Sequence, residues 1–209
     1  MARLVLASGS RWRRQLLDQL QLPYRWASPD IDERPRAGEP PAALVERLAQ
    51  TKAEALARDW PAHLIVGSDQ VAVFQGEILG KPIDSAAART QLARFSGRRV
   101  SFVTGLALID THQGSRRLCH EHYDVVFRRL STTEVANYIE RESPLECAGS
   151  FRMEGLGITL FERLEGDDPN TLIGLPLIRL CQWLREAGLD PLAADGLPGP
   201  AAQQAAQGS

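Results

Sequence analysis

A chain of 209 residues, 44% hydrophobic and 24% charged, can bury one sizeable core but scarcely two, so a single globular domain is expected. Its net charge of -2 supplies no global field for nucleic acid or an anionic membrane, and an anionic ligand would have to be held by local basic groups. Three scattered cysteines fit free thiols in a reducing compartment, and no segment is long and apolar enough for a signal peptide or a membrane span, so the expectation is a soluble, cytoplasmic protein.

The first element is a short buried strand over Arg3 to Ala7, followed by a turn and a helix opened by Ser10, with Leu16, Leu17 and Leu20 on one face. Pro and Gly punctuate residues 29 to 41, and Val45, Leu48, Ala49, Ala53 and Leu56 then mark an amphipathic helix. His63 to Phe74 reads as a strand, Gln75 and Gly76 as a turn, and Glu77 to Leu79 as a short return before Gly80-Lys81-Pro82. Asp84 caps the next helix. Arg99 to Asp110 and Arg117 to Arg128 flank the turn-rich His112 to Ser115, which predicts a long antiparallel hairpin. A helix over Ser131 to Arg141, a strand over 157 to 164 and a closing helix over Asn170 to Ala187, interrupted by Pro176, complete the ordered part. The domain is placed at residues 1–192, and the Ala-, Gly-, Pro- and Gln-rich tail 193–209 has too few apolar residues to fold. Alternating strands and helices with one long hairpin make this an α/β protein with a mixed sheet.

The familiar nucleotide fingerprints are missing. GEILGKP at 76–82 is one residue short of a phosphate loop, with Pro82 where a hydroxyl is required, and no strand leads into GxGxxG. ASGSRWRR at 7–14 instead sets small residues at a helix start, where backbone amides favour phosphate, and places Arg13 and Arg14 where the helix dipole disfavours cations. An ordinary capped helix with a solvated basic face accounts for this segment about equally well. In VGSDQV at 66–71, Asp69 interrupts an apolar strand and must be satisfied by a partner, a metal or water. Lys52 falls beside the apolar stripe of its helix, a position that snorkelling explains as well as a site role does. Asp30, Asp32 and Glu33 read individually as loop residues, and Lys81 as a turn residue. His120-Glu121-His122 puts two imidazoles on one strand face, but without a third ligand a solvated face is the better reading. Trp26, Trp60 and Trp183 read as packing.

Together SGSRWRR, SDQV, LGKP, AGSFRMEGLG at 148–157 and NTLIGLPL at 170–177 resemble the Maf family, in order and across residues 3 to 192. The resemblance implies a Maf/ITPase-like fold, an elongated mixed sheet flanked by helices, and a nucleoside triphosphate pyrophosphatase that cuts between the α and β phosphates. It also implies that Asp69 is the proton acceptor, with Glu33, Lys52 and Lys81 at further active-site positions. On that basis Asp69 and Glu33 are assigned to a divalent cation, Mg²⁺ or Mn²⁺, and Ser8, Ser10 and Arg13 to phosphate. Trp12, Gln70 and Glu154 are similar to the subgroup typified by bacterial 7-methyl-GTP pyrophosphatase. That likeness implies 7-methyl-GTP as substrate, with dTTP or UTP as the alternative and a non-catalytic nucleotide-binding regulator of division as the other class. A small-molecule nucleotide is the expected partner, with no nucleic acid or membrane, and a homodimer is implied by resemblance alone. Arg11 departs from the family pattern, which has Pro there.

Overall fold

A computed structural model describes residues 3–145 and 147–193, and those residues form seven strands and six helices. The apolar run β1 (Leu4–Ala7) is buried at every position and pairs in parallel with β2 (Tyr24–Ala27) on one side and β3 (Leu64–Phe74) on the other. Between β1 and β2 lies α1 (Arg11–Asp18). It begins where the Ser10 Oγ accepts from Arg13 N, and it buries Leu16 and Leu17. The helix closes at Asp18, so Leu20 lies beyond it, in a turn where Gln21 takes a positive φ of 52°. Strand β2 was not anticipated. It is an edge strand of four residues in which only Tyr24 is fully buried, so it carries almost no period-two signal.

Helix α2 (Pro41–Leu56) starts on Pro41, which has no amide to leave unsatisfied, and buries Leu44, Val45, Leu48, Ala49, Lys52, Ala53 and Leu56. It lies so close to the sheet that two strand positions tolerate no side chain. A Cβ at Gly67 would sit 2.0 Å from the Ala49 carbonyl oxygen, and one at Gly105 would sit 2.2 Å from that of Val45. Both obstacles are backbone, which cannot swing aside. Gly105→Ala is therefore expected to destabilise by roughly 3 kcal/mol, lowering the melting temperature by about 6–12 °C, which thermal unfolding would measure. An unchanged melting temperature would mean that α2 is not seated this tightly.

Strand β3 turns at Gln75 and Gly76 into β4 (Glu77–Leu79), its antiparallel neighbour, and Asp84 caps α3 (Ser85–Phe95) through Ala87 N, both as read from the sequence. The hairpin β5 (Arg99–Asp110) and β6 (Ser115–Phe127) closes through a short turn. There the Asp110 Oδ1 accepts from His112 N at 2.9 Å and Gln113 N at 3.0 Å, and Gly114 takes a φ of 68°. So short a connection between neighbouring strands permits only antiparallel pairing. Ser131 and Glu134 form a reciprocal capping box at the start of α4 (Thr132–Glu142). The strand expected over 157–164 is shorter: β7 spans Phe161–Glu165, and residues 156–160 form a 3-10 turn. The amides of Gly155 and Gly157 close onto the Arg152 carbonyl, which takes this stretch out of the extended conformation. Pro176 separates α5 (Asn170–Ile173) from α6 (Leu177–Glu186).

The sheet is open and mixed, in the order β2-β1-β3-β5-β6-β7 with β4 on β3, in line with the expected α/β class. The described residues cluster into two compact units, residues 3–69, 104–121 and 174–193 in one and 70–103, 122–145 and 147–173 in the other. The first packs Val5, Ala7, Ile65, Ala107 and Ile109 against Ala49, Ala53 and Leu56. The second is centred on aromatic rings, with Phe151 at 4.9 Å from Phe161 and 5.3 Å from Phe102, centroid to centroid, in edge-on contact. No helix among the described residues is long and apolar enough to cross a membrane. The tail expected to be unstructured lies outside the described residues from 194 onward.

Candidate active site

In the first unit, the chain leaves β1 at Ala7 and reaches α1 through Ser8-Gly9-Ser10, so the start of a helix follows directly on a buried strand. The first turn holds Arg11, Arg13 and Arg14 with no acidic residue to offset them, opposite to the arrangement the helix dipole favours. Arg13 turns inward. Its Nε donates to the Gly174 carbonyl at 2.8 Å, and its Nη1 donates to Ser8 Oγ at 3.4 Å. Burial pushes the Arg13 guanidinium below its ordinary value, while Asp69 and Glu33 pull it back up. Arg14 instead stacks on Trp26, 4.1 Å from the ring centroid, and leaves the site to Arg13. Arg11 lies over Trp12 at 4.2 Å, so the residue that replaces the usual Pro covers one face of that indole.

Lys52 does not snorkel. Its ammonium lies 2.6 Å from Asp69 Oδ1 and 2.8 Å from Glu33 Oε1, with side-chain exposures of 8% for the lysine, 12% for Asp69 and 59% for Glu33. The strand carboxylate that needed a partner has found it on α2. Glu33 reaches this place from a loop that α2 also ties down. Arg47 donates to both carboxylate oxygens of Glu39 at 2.6 and 2.7 Å and to the Arg34 carbonyl at 3.2 Å. A bidentate guanidinium fixes orientation as well as distance, so the segment bearing Glu33 is held from the helix that carries Lys52. The neighbouring Asp32 pairs with Arg34 and is committed within the loop.

The second unit carries Gln70, Lys81 and Glu154. Gln70 Nε2 donates to the carbonyls of Thr171 at 2.7 Å and Leu172 at 3.1 Å, so its amide nitrogen ties β3 to the α5 segment rather than pointing to a ligand. Lys81 is exposed just after β4, and Glu154 is exposed in a turn before the 3-10 segment. The half-buried Cys147 lies within electrostatic reach of both: burial raises its pKa, Glu154 adds to the rise, and Arg152 and Lys81 oppose it. His120 Nδ1 lies 2.7 Å from Glu46 Oε1, and Glu121 is taken by Arg179 at 2.9 Å.

A family model described as Maf-like protein matches residues 3–187. The chain belongs to the Maf family. It is also similar to a protein of Chromohalobacter salexigens named 7-methyl-GTP pyrophosphatase, with 70% identity over 192 residues that cover 92% of this chain and all of the relative.

Within this Maf protein, sequence reasoning missed Gly174 and Ser68. The Ser68 hydroxyl, fully buried, lies 2.8 Å from the carbonyl oxygens of both Gly105 and Gly174, and Gly174 holds Arg13. Gly174 has a φ of 116°, which a residue with a Cβ rarely adopts, so its place between two apolar residues in NTLIGLPL was the available signal. Asp69 and Glu33 are the carboxylates of the first unit that a hard divalent cation would use, but the oxygens that converge do so on the Lys52 ammonium, and among the described residues no group of three or more His, Cys, Asp or Glu side chains is gathered to hold a metal ion.

Proposed function

We propose that this protein hydrolyses nucleoside triphosphates between the α and β phosphates in the cytoplasm, with 7-methyl-GTP as preferred substrate. The observation that carries the reading is the convergence of the Lys52 ammonium with the Asp69 and Glu33 carboxylates beside an inward-turned Arg13, in a Maf chain whose relative bears the 7-methyl-GTP pyrophosphatase name.

Water adds to the α-phosphorus and passes its proton to the Asp69 carboxylate, while the bond from that phosphorus to the bridging oxygen breaks and pyrophosphate leaves. A positioned base of this kind contributes about 10²- to 10⁴-fold. Lys52 orients Asp69 through Oδ1, and Arg13, with Ser8 and Ser10, receives phosphate oxygens at the helix start. Lys81 supplies a further cation to the triphosphate. A divalent metal held by Asp69 and Glu33 would contribute charge neutralisation of the phosphate oxygens. Glu154 accepts from the guanine N1 and exocyclic amine, and the Trp12 indole faces the cationic methylated ring, an attraction of about 0.5–2 kcal/mol. Gln70 acts by holding the backbone of Thr171 and Leu172.

The test is a panel of 7-methyl-GTP, GTP, UTP and dTTP, assayed for pyrophosphate with Mg²⁺, Mn²⁺ or a chelator. The expected result is metal-dependent release that is fastest on 7-methyl-GTP, and a shift toward pyrimidine substrates in Trp12→Arg, Gln70→Thr, Glu154→Gln. No pyrophosphate from any nucleotide would sink the enzyme reading and leave a binding regulator. Equal efficiency on GTP and 7-methyl-GTP would sink the base preference alone.

A further inference from the structure

The last turn of α4 carries a buried carboxylate that the proposed chemistry does not use. The Glu142 side chain is 7% exposed, and its Oε2 accepts from Leu156 N at 2.6 Å while Oε1 pairs with the Arg152 guanidinium. The segment between those two partners is the one that carries Glu154. It is drawn into a tight arch: Gly155 N and Gly157 N both reach the Arg152 carbonyl, at 3.3 and 3.1 Å, and Arg152 N is 3.0 Å from the Tyr138 hydroxyl one turn earlier on the same helix. The arch leaves no room for side chains on its inner face. A Cβ at Gly155 would stand 2.6 Å from Glu142 Oε1, and one at Gly157 would stand 2.3 Å from the Arg152 carbonyl oxygen.

We propose that Glu142 is a positioning residue that clamps the 152–157 arch onto α4 and thereby sets where Glu154 presents its carboxylate to the base. This rests on the reading of Glu154 as the group that recognises guanine. A buried carboxylate that is both ion-paired and bound to a backbone amide sacrifices solvation at two atoms to hold one short segment, a cost that a surface turn would not require. The placement of the exposed Glu154 is inherited from the backbone on either side, which Glu142 holds directly at Leu156 N and, through the guanidinium, at Arg152, whose own amide meets the Tyr138 hydroxyl. A mispositioned acceptor loses affinity for a donor pair in the ground state without touching the reacting phosphorus.

The experiment compares Glu142→Gln, which keeps an oxygen for Leu156 N–H but loses the charge facing Arg152, with Glu142→Ala. Each is measured for KM and kcat on 7-methyl-GTP, GTP and UTP, alone and in a Glu154→Ala background, with melting temperatures as a check on folding. The expected result is a KM for both guanine nucleotides raised about 5- to 20-fold in Glu142→Ala and less in Glu142→Gln, with kcat and UTP hydrolysis unchanged. In the Glu154→Ala background the same substitutions should move the guanine-to-uracil preference no further, since the carboxylate they position is gone. If Glu154→Ala shifts that preference but Glu142→Gln, folded normally, leaves guanine KM at the wild-type value, the clamp is overturned. A drop in activity on all three substrates in equal proportion overturns it as well, because that is the mark of general destabilisation. If Glu154→Ala leaves the preference unchanged, the base-recognition reading fails, and the clamp's stated purpose fails with it.

Discussion

Asp69→Asn is expected to fold and to lose turnover by about 10²- to 10⁴-fold at saturating substrate and metal, with KM little changed. The isostere keeps the volume at a nearly closed strand position and removes only the charge and the basic oxygen. Lys52 retains Glu33 at 2.8 Å, so its ammonium is not stranded, and the stability cost should be about 1–2 kcal/mol. The measurement is initial pyrophosphate release by purified protein of known melting temperature. A near wild-type rate would remove Asp69 as the base and move that role to Glu33, the other carboxylate on the same ammonium.

Lys52→Met should be the more damaging change, because it acts on stability and chemistry together. Met occupies the same unbranched path along α2, but two carboxylates that shared one cation are left facing each other, with Asp69 nearly closed to solvent. Breaking a buried pair in this way costs about 3–5 kcal/mol, or roughly 10 °C in melting temperature for a chain of this size. Turnover should fall by about 10²- to 10³-fold with the loss of a preorganised cation beside the developing charge. The double variant Lys52→Met, Asp69→Asn should regain part of the lost stability, since neither buried partner is then unmatched, while remaining inactive. Should Lys52→Met melt at the wild-type temperature, the ion pair would not be the structural element that its burial indicates.

Much of this was legible from local chemistry. Ser10, Asp84 and Ser131 announced helix starts through short-range oxygen-to-amide bonds that need nothing beyond three neighbouring residues, and all three serve as caps. The hairpin was legible because the turn-rich His112 to Ser115, with Gly114, follows the long apolar run of β5 and leads into a second extended stretch that becomes buried only toward its end. Other elements gave no such signal. Strand β2 is an edge of four residues whose formation depends on β1 being there to pair with. The 156–160 segment has the apolar residues of a strand, but the Arg152 carbonyl and Glu142 pull it into a 3-10 turn from outside the window that pattern reading uses.

The site divides along the same line. Asp69 in an apolar strand and Lys52 on an apolar helix face could each be singled out from the sequence, because a buried charge is costly enough to demand an explanation wherever it stands. That the two answer each other, and that Glu33 joins them from a Pro- and Gly-rich loop, was decided only by the tertiary structure, which brings together residues 17 and 19 positions away from Lys52 in opposite directions along the chain. The same holds for Arg13. Its residue type and helix-start position fitted an anion site and a solvated basic face about equally well, and whether it turned outward like Arg14 or inward to Gly174 depended on a carbonyl 161 residues away. Sequence by itself determined which groups are too polar for their surroundings. Folding determined their partners, because ion pairs and hydrogen bonds are set by distances of a few ångströms that no spacing along the chain encodes.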